Sequence, residues 1–599
     1  MSVFTLIVVT LVAVLVAGLA RRTRFNASLV VLAVALAASF VPGLTRFQID
    51  PHLILGIVLP PLLYSATLSS SLRDFRHAIS PILRLGVGLV IVTTIVVAVA
   101  TKAFASDLPL AAAVLLGAIV APPDAVAAES VGRRVGLPRR IMTLIGGESL
   151  INDATSLTLF KVALAGVGTT ATIWGSGAQV FALAVLGGVT TGLVLAGLFQ
   201  VARSVIRDPA VSTVLGILLP FIAYWLAEQL HGSGVLAVVA AGFYMGQAQG
   251  RASVTTRLHE GPIWSSIDLL LEAFAFAYIG LQIRWVIAEV RQSPTEATGR
   301  AFALAGIVLA VCILVRPLYI FATEYIARLP WRRLLPRRWR NTDDDGAGVQ
   351  RLGWRDLLVT SWAGMRGVVT LAAAAAVPLR TDTGELIPGQ ATLQLAAYTV
   401  AIGTLLLQGL TLPAVIRWLG ISNADEQAQD AAEESHARLV AARAASEVVA
   451  QQVEELSDRV GVDEAHRMAR FATQAVVARE TAAATLLGPD DAEEAASLPE
   501  TPPDGGPEER PRRHEHRSQR GDRRDHRDLR AAHLRRIGRR HAKAQVRVVE
   551  LRTKMVRAQR RAIMKEAKAG RLNDTVLRRI LHEFDLEEES MAQSWTNRL

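Results

Sequence analysis

Long runs of apolar residues constrain this chain more than any other feature of its sequence. About thirteen segments each hold roughly 20 mostly apolar residues, which is the length an α-helix needs to cross a bilayer. They lie near residues 3–20, 25–42, 51–67, 82–104, 109–129, 141–167, 175–201, 210–229, 235–249, 263–287, 300–328, 354–378 and 390–419. The third, ninth and tenth are short or interrupted. With 51% hydrophobic residues and a mean hydropathy of +0.33, the sequence predicts an all-α polytopic membrane protein.

Arginine residues alternate between the loops on the two sides of these spans. The loops after odd-numbered spans are rich in Arg, whereas the loops after even-numbered spans are uncharged or mix basic with acidic residues. Because Lys and Arg collect in cytoplasmic loops, the alternation predicts an N-terminus outside the cell and a cytoplasmic tail from about residue 421. The N-terminus enters an apolar run without a basic segment or an evident cleavage site, so we expect it to be the first span and not a signal peptide.

Several classes of protein are disfavoured by what the sequence lacks. No Gly-Lys pair occurs, so there is no Walker A loop for an ATP-driven pump, and no Thr-Val-Gly-Tyr-Gly filter of a potassium channel is present. Cys312 is the only cysteine, which excludes an intrachain disulfide and a cysteine-based metal site. The formal net charge of +11 lies in loops and the tail. We therefore expect membrane lipid, and no nucleic acid, as the partner.

Span six carries a polar stripe in an otherwise apolar helix. Glu148 and Asn152 are four residues apart, and so are Ser149 and Asp153, so each pair shares a helical face. A charged side chain at the bilayer centre costs about 2.5–3.5 kcal/mol on insertion scales, and such residues mark ion and proton pathways. We interpret this stripe as the candidate transport site.

Two other spans are interrupted. Span five contains Pro122-Pro123 followed by Asp124, and span twelve contains Arg366 between two glycines. Proline removes backbone hydrogen bonds and leaves carbonyls free, and transporters use helices broken in this way to bind ions near the membrane midplane. If spans one to six are repeated as spans eight to thirteen, the two interruptions are equivalent, which indicates an inverted-repeat transporter. Arg366 would then offset the negative ends of the broken helices; the alternatives are a simple proline kink and an interfacial Arg that reaches the headgroups.

Arg316 lies in the middle of span eleven and requires an anionic partner. Span six offers two acids, and we pair Arg316 with Glu148. This pairing leaves Asp153 free to titrate. Glu272 in span ten is a further intramembrane acid, for which the sequence assigns no partner.

The tail has three parts that differ in composition. Residues 424–487 are rich in Ala and Glu with helical periodicity, residues 488–525 combine Pro, Gly and dense charge as a disordered linker does, and residues 529–588 predict basic helices. Asn573-Asp574 are predicted caps. The sequence predicts solvated helices, and the alternative is cytoplasmic regulation or membrane-surface attachment through the basic faces.

These residues resemble the bacterial NhaP-type sodium/proton antiporters, of the cation:proton antiporter superfamily that also includes animal sodium/proton exchangers. The resemblance covers roughly residues 1–420. Its most specific motif is the sequence Gly-Glu-Ser-Leu-Ile-Asn-Asp at residues 147–153, which carries the Asn-Asp signature of the electroneutral branch. Further matches lie at residues 59–64, 278–282, 364–367 and 585–589.

The resemblance implies a thirteen-span fold with inverted repeats, crossed discontinuous helices at spans five and twelve, and a homodimer in the bacterial plasma membrane. It implies that Asp153 binds the monovalent cation or the proton. The implied cation- and proton-binding set is Asp153, Ser149, Asp124 and Asn152, the structural ion pair is Glu148 with Arg316, and the supporting residues at the crossed helices are Pro123 and Arg366.

One position departs from the family pattern. The family often has Thr-Asp-Pro in span five, whereas this chain has Pro123-Asp124-Ala125. The Thr hydroxyl that can ligate a cation is therefore missing, and a backbone carbonyl is its predicted substitute.

We expect a proton and a monovalent cation to compete for Asp153, so that one ion exchanges for one proton without a cofactor. Asn152 does not ionise, so no second proton is carried and no net charge moves. Sodium, with lithium, is the expected cation, and potassium is the alternative. A cation channel and a non-transporting membrane sensor are alternatives of other classes, and an enzyme is not expected.

Overall fold

The computed structural model describes residues 3–22, 26–42, 54–167, 174–206, 208–248, 254–292, 298–328, 352–378, 387–460, 465 and 525–596. Over these ranges the chain forms helices joined by turns and contains no strand. Two compact units are present, Met1–Asn423 and Ala424–Leu599, which we call the membrane unit and the tail unit.

The membrane unit is built from helices of very different lengths. In chain order they are α1 (Val3–Arg21), α2 (Ala27–Ser39), α3 (Leu59–Ser69), α4 (Leu72–His77), α5 (Ile79–Leu83), α6 (Val90–Phe104), α7 (Leu110–Val120), α8 (Ala125–Val135), α9 (Arg139–Val167), α10 (Trp174–Ile206), α11 (Pro209–Gln229), α12 (Gly234–Ala248), α13 (Val254–Gln292), α14 (Thr298–Arg328), α15 (Trp354–Trp362), α16 (Val368–Ala375) and α17 (Gln390–Leu419). Short π-helical stretches, Ile54–Val58 and Arg84–Leu89, lead into α3 and α6.

Each apolar segment of the sequence coincides with one helix or with a run of helices in the structure. Among the described residues, eight helices are long and apolar enough to cross a membrane, and four shorter apolar helices cover Ala27–Ser39, Leu55–Leu68, Leu110–Val120 and Gly234–Ala248. Spans five and twelve are the two broken ones, formed by α7 with α8 and by α15 with α16. The all-helical fold is therefore confirmed, while the number of thirteen crossings stays a prediction.

The outer surface of the membrane unit is apolar. Large apolar side chains on α10 and α14 are more than half exposed; they include Leu183, Leu186, Leu198, Leu314 and Leu318. A soluble monomer rarely exposes contiguous apolar area on this scale. Lipid tails are the environment in which such a surface is stable.

Glycines allow α10 and α12 to pack backbone against backbone. A Cβ atom at Gly188 would lie 2.4 Å from the carbonyl oxygen of Ser233, and one at Gly192 would lie 2.1 Å from that of Ala237. Small residues four apart permit this close approach, which provides van der Waals contact where lipid supplies no hydrophobic driving force.

In the described part of the tail unit, three helices pack around a small core. They are α18 (Ala424–Val460), α19 (Asp525–Lys568) and α20 (Asp574–Thr596). Ala437 and Ala441 of α18 contact Val556 and Ile563 of α19 and Phe584 of α20 in one buried cluster. The core explains why these helices stay together although their outer faces are highly charged.

The described tail helices overlap the first and third segments of the predicted tail. Helix α18 covers 424–460 of the expected 424–487, and the rest of that range lies outside the described residues except for residue 465. The predicted disordered linker also lies outside them, up to residue 524. Asn573 caps α20, since its side chain accepts hydrogen bonds from the backbone of Thr575 and Val576 at 3.0 and 2.9 Å. Among the described tail helices only α19 is basic; α20 contains six acids and two arginines, because the basic pattern ends before it.

We expect Gly192→Ala to destabilise the membrane unit, because the added methyl group meets the backbone of Ala237 and not a movable side chain. Overpacking of this kind costs about 1–3 kcal/mol, so the melting temperature of the purified protein in detergent should fall. Gly197→Ala on the same helix is the matched control, since nothing lies within 4 Å of its Cβ position. Equal melting temperatures for the two variants would contradict the backbone contact.

Candidate cation and proton site

Helix α9 carries the polar stripe through the middle of the membrane unit. It is continuous from Arg139 to Val167, so residues four apart lie on one face. Glu148, Asn152 and Asp153 are 1%, 0% and 4% exposed, whereas Ser149 is half-buried. The stripe thus lies in the protein interior, where a charged side chain is stable only if a partner compensates its charge.

The breaks in spans five and twelve lie against each other. The backbone N–H of Asp124 donates a hydrogen bond of 2.6 Å to the carbonyl of Met365. The amide Nδ2 of Asn152 donates to the carbonyl of Pro123 at 2.9 Å. Two broken helices and the continuous helix α9 are therefore joined by hydrogen bonds to backbone that the breaks leave unpaired.

Arg366 occupies the junction of the two breaks and is buried. Its Nε donates to the carbonyl of Val120, the last residue of α7, at 3.1 Å. Its Nη1 donates to the carbonyl of Gly364, two residues after α15 ends. The guanidinium lies where the two helices end with negative dipoles, which is the position that the sequence predicts for it; its role stays a prediction.

Two glycines beside Arg366 make room for charged side chains. A Cβ atom at Gly364 would lie 2.3 Å from Cδ of Arg316, and one at Gly367 would lie 1.8 Å from Oδ2 of Asp124. Glycine therefore fits both positions of this Gly-Met-Arg-Gly sequence. A larger residue at position 364 would displace Arg316, and one at position 367 would displace Asp124.

Glu148 and Arg316 form a buried ion pair, and each side chain is 1% exposed. Nη2 of Arg316 donates to Oε2 of Glu148 at 2.7 Å, and Nη1 donates to Oε1. Nε of Arg316 donates to the carbonyl of Thr360 at 3.1 Å. This bidentate geometry neutralises Glu148 inside the protein.

Asp153 has no such partner. It makes no hydrogen bond or ion pair with any described residue, and it lines a cavity of about 300 Å³. Ser149 and Asp124 line the same cavity. Oδ1 of Asp124 accepts from the backbone of Val126 at 3.0 Å, while its Oδ2 is buried and unpaired among the described residues. The cavity is therefore rich in oxygen atoms that can bind a cation.

The predicted residues divide into two groups around this cavity. Asp153, Ser149, Asp124 and Pro123 line it. The remaining four, Asn152, Glu148, Arg316 and Arg366, lie outside its lining and hold the surrounding helices through the contacts described above.

The sequence prediction did not assign three further acids to the site, although it recognised one of them, Glu272, as an intramembrane acid. Asp268 and Glu272 of α13 line the cavity, and so does Glu129 of α8. Ser65 donates to Oδ2 of Asp268 at 2.6 Å, and Ser28 donates to Glu272, which the sequence left without a partner. The signal was present, because Asp268 lies four residues before Glu272 and shares its helical face.

No group of three or more His, Cys, Asp and Glu side chains among the described residues is arranged to hold a metal ion.

Comparison with known proteins identifies the class of transporter. The profile of the family described as "Sodium/hydrogen exchanger, transmembrane" matches residues 6–418. This chain belongs to the sodium/hydrogen exchanger family. It is therefore a multi-pass membrane transporter, and the predicted resemblance to sodium/proton exchangers is confirmed.

Relatives and a solved structure support the assignment. An uncharacterised Na⁺/H⁺ exchanger of Mycobacterium tuberculosis is 34% identical to this exchanger over 426 residues, which are 69% of this chain and 74% of that protein. A sodium, potassium, lithium and rubidium/H⁺ antiporter of Bacillus subtilis is 29% identical over 69% of this chain and 61% of its own length. The solved structure of a sodium proton antiporter from Methanocaldococcus jannaschii matches with a TM-score of 0.52 at 18% identity, covering 70% of this chain and 98% of that chain. This last likeness shows a shared fold.

We expect Arg316→Met to destabilise this exchanger strongly, because it leaves the buried charge of Glu148 unpaired. Breaking a buried pair from one side costs about 3–5 kcal/mol, whereas replacing both partners by apolar residues is often neutral. Thermal unfolding in detergent should therefore show a lower melting temperature for Arg316→Met than for the double variant Arg316→Met with Glu148→Met.

Lys161→Met is the matched control for this experiment. It removes an ion pair of 2.5 Å with Glu228, but the Lys161 side chain is 56% exposed. Such pairs contribute about 0–1 kcal/mol, so the melting temperature should change little. A double variant less stable than Arg316→Met would contradict the account of the buried pair.

Proposed function

We propose that this protein exchanges sodium, or another monovalent cation, for protons by competition at Asp153. The observation that carries the proposal is that one of the two acids of α9 has a charged partner and the other has none among the described residues. Glu148 is neutralised by Arg316, whereas Asp153 faces the cavity without a partner. A carboxylate withdrawn from water without a counter-charge favours a bound proton or a bound cation over the bare anion.

The ligands around Asp153 suit a hard monovalent cation. Carboxylate and hydroxyl oxygens come from Asp153, Ser149 and Asp124, all of which line the cavity. The cavity-lining residues include no Lys, and the one Arg among them, Arg133, pairs with Glu129 at 2.8 Å. No basic side chain is thus placed to occupy Asp153 permanently.

Asn152 has a different role in the proposal. Its amide binds the carbonyl of Pro123, so it holds the broken helix against α9. Because an amide carries no titratable proton, one cation would exchange for one proton at Asp153. Each uncompensated charge would couple to the membrane potential by about 2.3 kcal/mol per 100 mV, and one-for-one exchange avoids this coupling.

The choice of cation follows less directly from the site. Pro123 stands where the family often has Thr, and its carbonyl already accepts the hydrogen bond from Asn152. The site therefore has fewer side-chain oxygens than a Thr-containing one. The Bacillus relative is named for sodium, potassium, lithium and rubidium, and on this basis we propose sodium and lithium as substrates and potassium as a further one to be tested.

Asp268 extends the proposal to the route by which the cation reaches Asp153. It lines the same cavity, and its Oδ1 is buried without a partner among the described residues while Ser65 holds Oδ2. A second carboxylate in one cavity raises the local concentration of cations. We propose that Asp268 attracts the incoming cation and that Asp153 binds it for transport.

Asp153→Asn should abolish exchange, because the amide has no negative charge with which to bind a cation and does not take up a proton. The measurement is dye-reported proton movement in proteoliposomes after pulses of sodium, lithium or potassium. Lowering the pH should raise the half-saturating cation concentration of the unaltered protein, since protons compete for the same carboxylate. Glu228→Gln removes an acid outside the cavity and should keep full activity; exchange that persists in Asp153→Asn would sink the assignment.

Asp268→Asn should weaken cation capture without abolishing transport. We expect the half-saturating sodium concentration to rise by about tenfold or less, as removal of one focusing charge predicts, with the maximal rate kept within about twofold. Ser65→Ala should shift it in the same direction by a smaller amount. Asp107→Asn alters an exposed acid away from the cavity and serves as the control; an unchanged half-saturation in Asp268→Asn would remove this residue from the route.

A further inference from the structure

Helix α19 of the tail unit has one buried face and one strongly basic face. The buried face contributes Leu551, Met555, Val556 and Ile563 to the tail core. The opposite face carries five exposed cations three or four residues apart, which we call the basic stripe: Lys554, Arg557, Arg561, Lys565 and Lys568. Over its whole length α19 has fifteen Lys or Arg residues and four Asp or Glu residues.

Four of the five stripe residues are not neutralised within the described part of the tail unit; the fifth, Lys554, lies 3.8 Å from Glu550 and donates to Gln452 at 2.7 Å. Arg557, Arg561, Lys565 and Lys568 make no hydrogen bond or ion pair with any described residue. Arg560, one position off the stripe, is by contrast paired with Asp585 and lies 3.5 Å from Glu588. Asp585 and Glu588 of α20 are therefore used beside the stripe, and these four stripe residues keep their charge.

The stripe forms the wall of two open grooves. One, of about 640 Å³, lies between Gln451 and Gln452 of α18 and the stripe residues Lys554, Arg557 and Arg561. The other, of about 370 Å³, is lined by Arg561, Lys565 and Lys568 together with the exposed Met564. An anionic partner would thus meet a row of cations with an apolar side chain among them.

Chain connectivity favours a membrane as that partner. Helix α17 ends at Leu419 and α18 begins at Ala424. Only four residues, 420–423, connect the two helices, so the chain tethers the tail unit to an apolar helix of membrane-spanning length. Trp418 at that end is 77% exposed, as is common for aromatic residues at the membrane–water interface.

We propose that the basic stripe of α19 docks on anionic lipid headgroups of the membrane in which the protein is embedded, with Met564 inside the contact. Clusters of Lys and Arg held near a membrane bind anionic lipids in this way, and the attraction acts over about a Debye length. The proposal does not depend on which cation the membrane unit transports.

The chain offers a clean probe, because Cys312 is its only cysteine and is buried. The full-length protein with Cys312→Ala and Met564→Cys, labelled with an environment-sensitive fluorophore, is placed in nanodiscs of phosphatidylcholine alone or with about 30% phosphatidylglycerol. We expect a blue shift of the emission only with anionic lipid, and its loss in about 1 M salt, where the Debye length falls to about 3 Å.

A charge-removing variant separates the stripe from the rest of the tail. Replacing Arg557, Arg561, Lys565 and Lys568 by Gln should abolish the blue shift, whereas replacing the exposed Arg443 and Arg578 by Gln should retain it. The same emission in both lipids, or an equal shift in the stripe variant, would overturn the proposal. A shift in phosphatidylcholine discs on addition of free pyrophosphate, with none from anionic lipid, would also overturn it and indicate a soluble phosphate ligand.

Discussion

The membrane unit depends on how two broken helices satisfy the backbone groups that their breaks release. Unpaired N–H and C=O groups in a bilayer cost several kcal/mol each, so a break survives only where protein supplies partners. Here the two breaks provide hydrogen-bond partners for each other, since the backbone N–H of Asp124 donates to the carbonyl of Met365. Arg366 and Asn152 satisfy the carbonyls of Val120 and Pro123. The interruption that makes a cation site possible is thus also what fixes α9 and its acids beside it.

The same constraint separates the roles of the two acids on α9. A buried charge is tolerated if it is paired, and Glu148 meets that condition through Arg316, which in turn requires the space left by Gly364. Asp153 does not meet it, and the energetic consequence is that its carboxylate favours an occupant. In the proposed mechanism, stability and transport therefore depend on different carboxylates, which are only five residues apart. The ion pair contributes to the fold, and the unpaired acid provides the exchange proposed here.

Sequence alone predicted the helices and the breaks, because apolar length and proline act locally. It also predicted the pairing of Glu148 with Arg316, since a mid-span arginine has few possible partners. It missed Asp268 and its contact with Ser65, which are 203 residues apart. Such a contact depends on how α13 and α3 pack, and neither periodicity nor charge in one helix reports it. The charge of the last tail helix was predicted less well, because the six acids of α20 follow directly on the basic pattern of α19.

The proline at position 123 shows how the electrostatics of the site are balanced. Proline has no N–H, so this part of the break presents acceptors and few donors to its surroundings. The negative end of α7 is offset by Arg366, and the positive end of α8 is capped by Asp124, which accepts from Val126. With both helix ends compensated and Glu148 paired, Asp153 is the α9 charge left uncompensated among the described residues. A cation bound there would neutralise that charge, and so would a proton, which is why the two are expected to exclude each other.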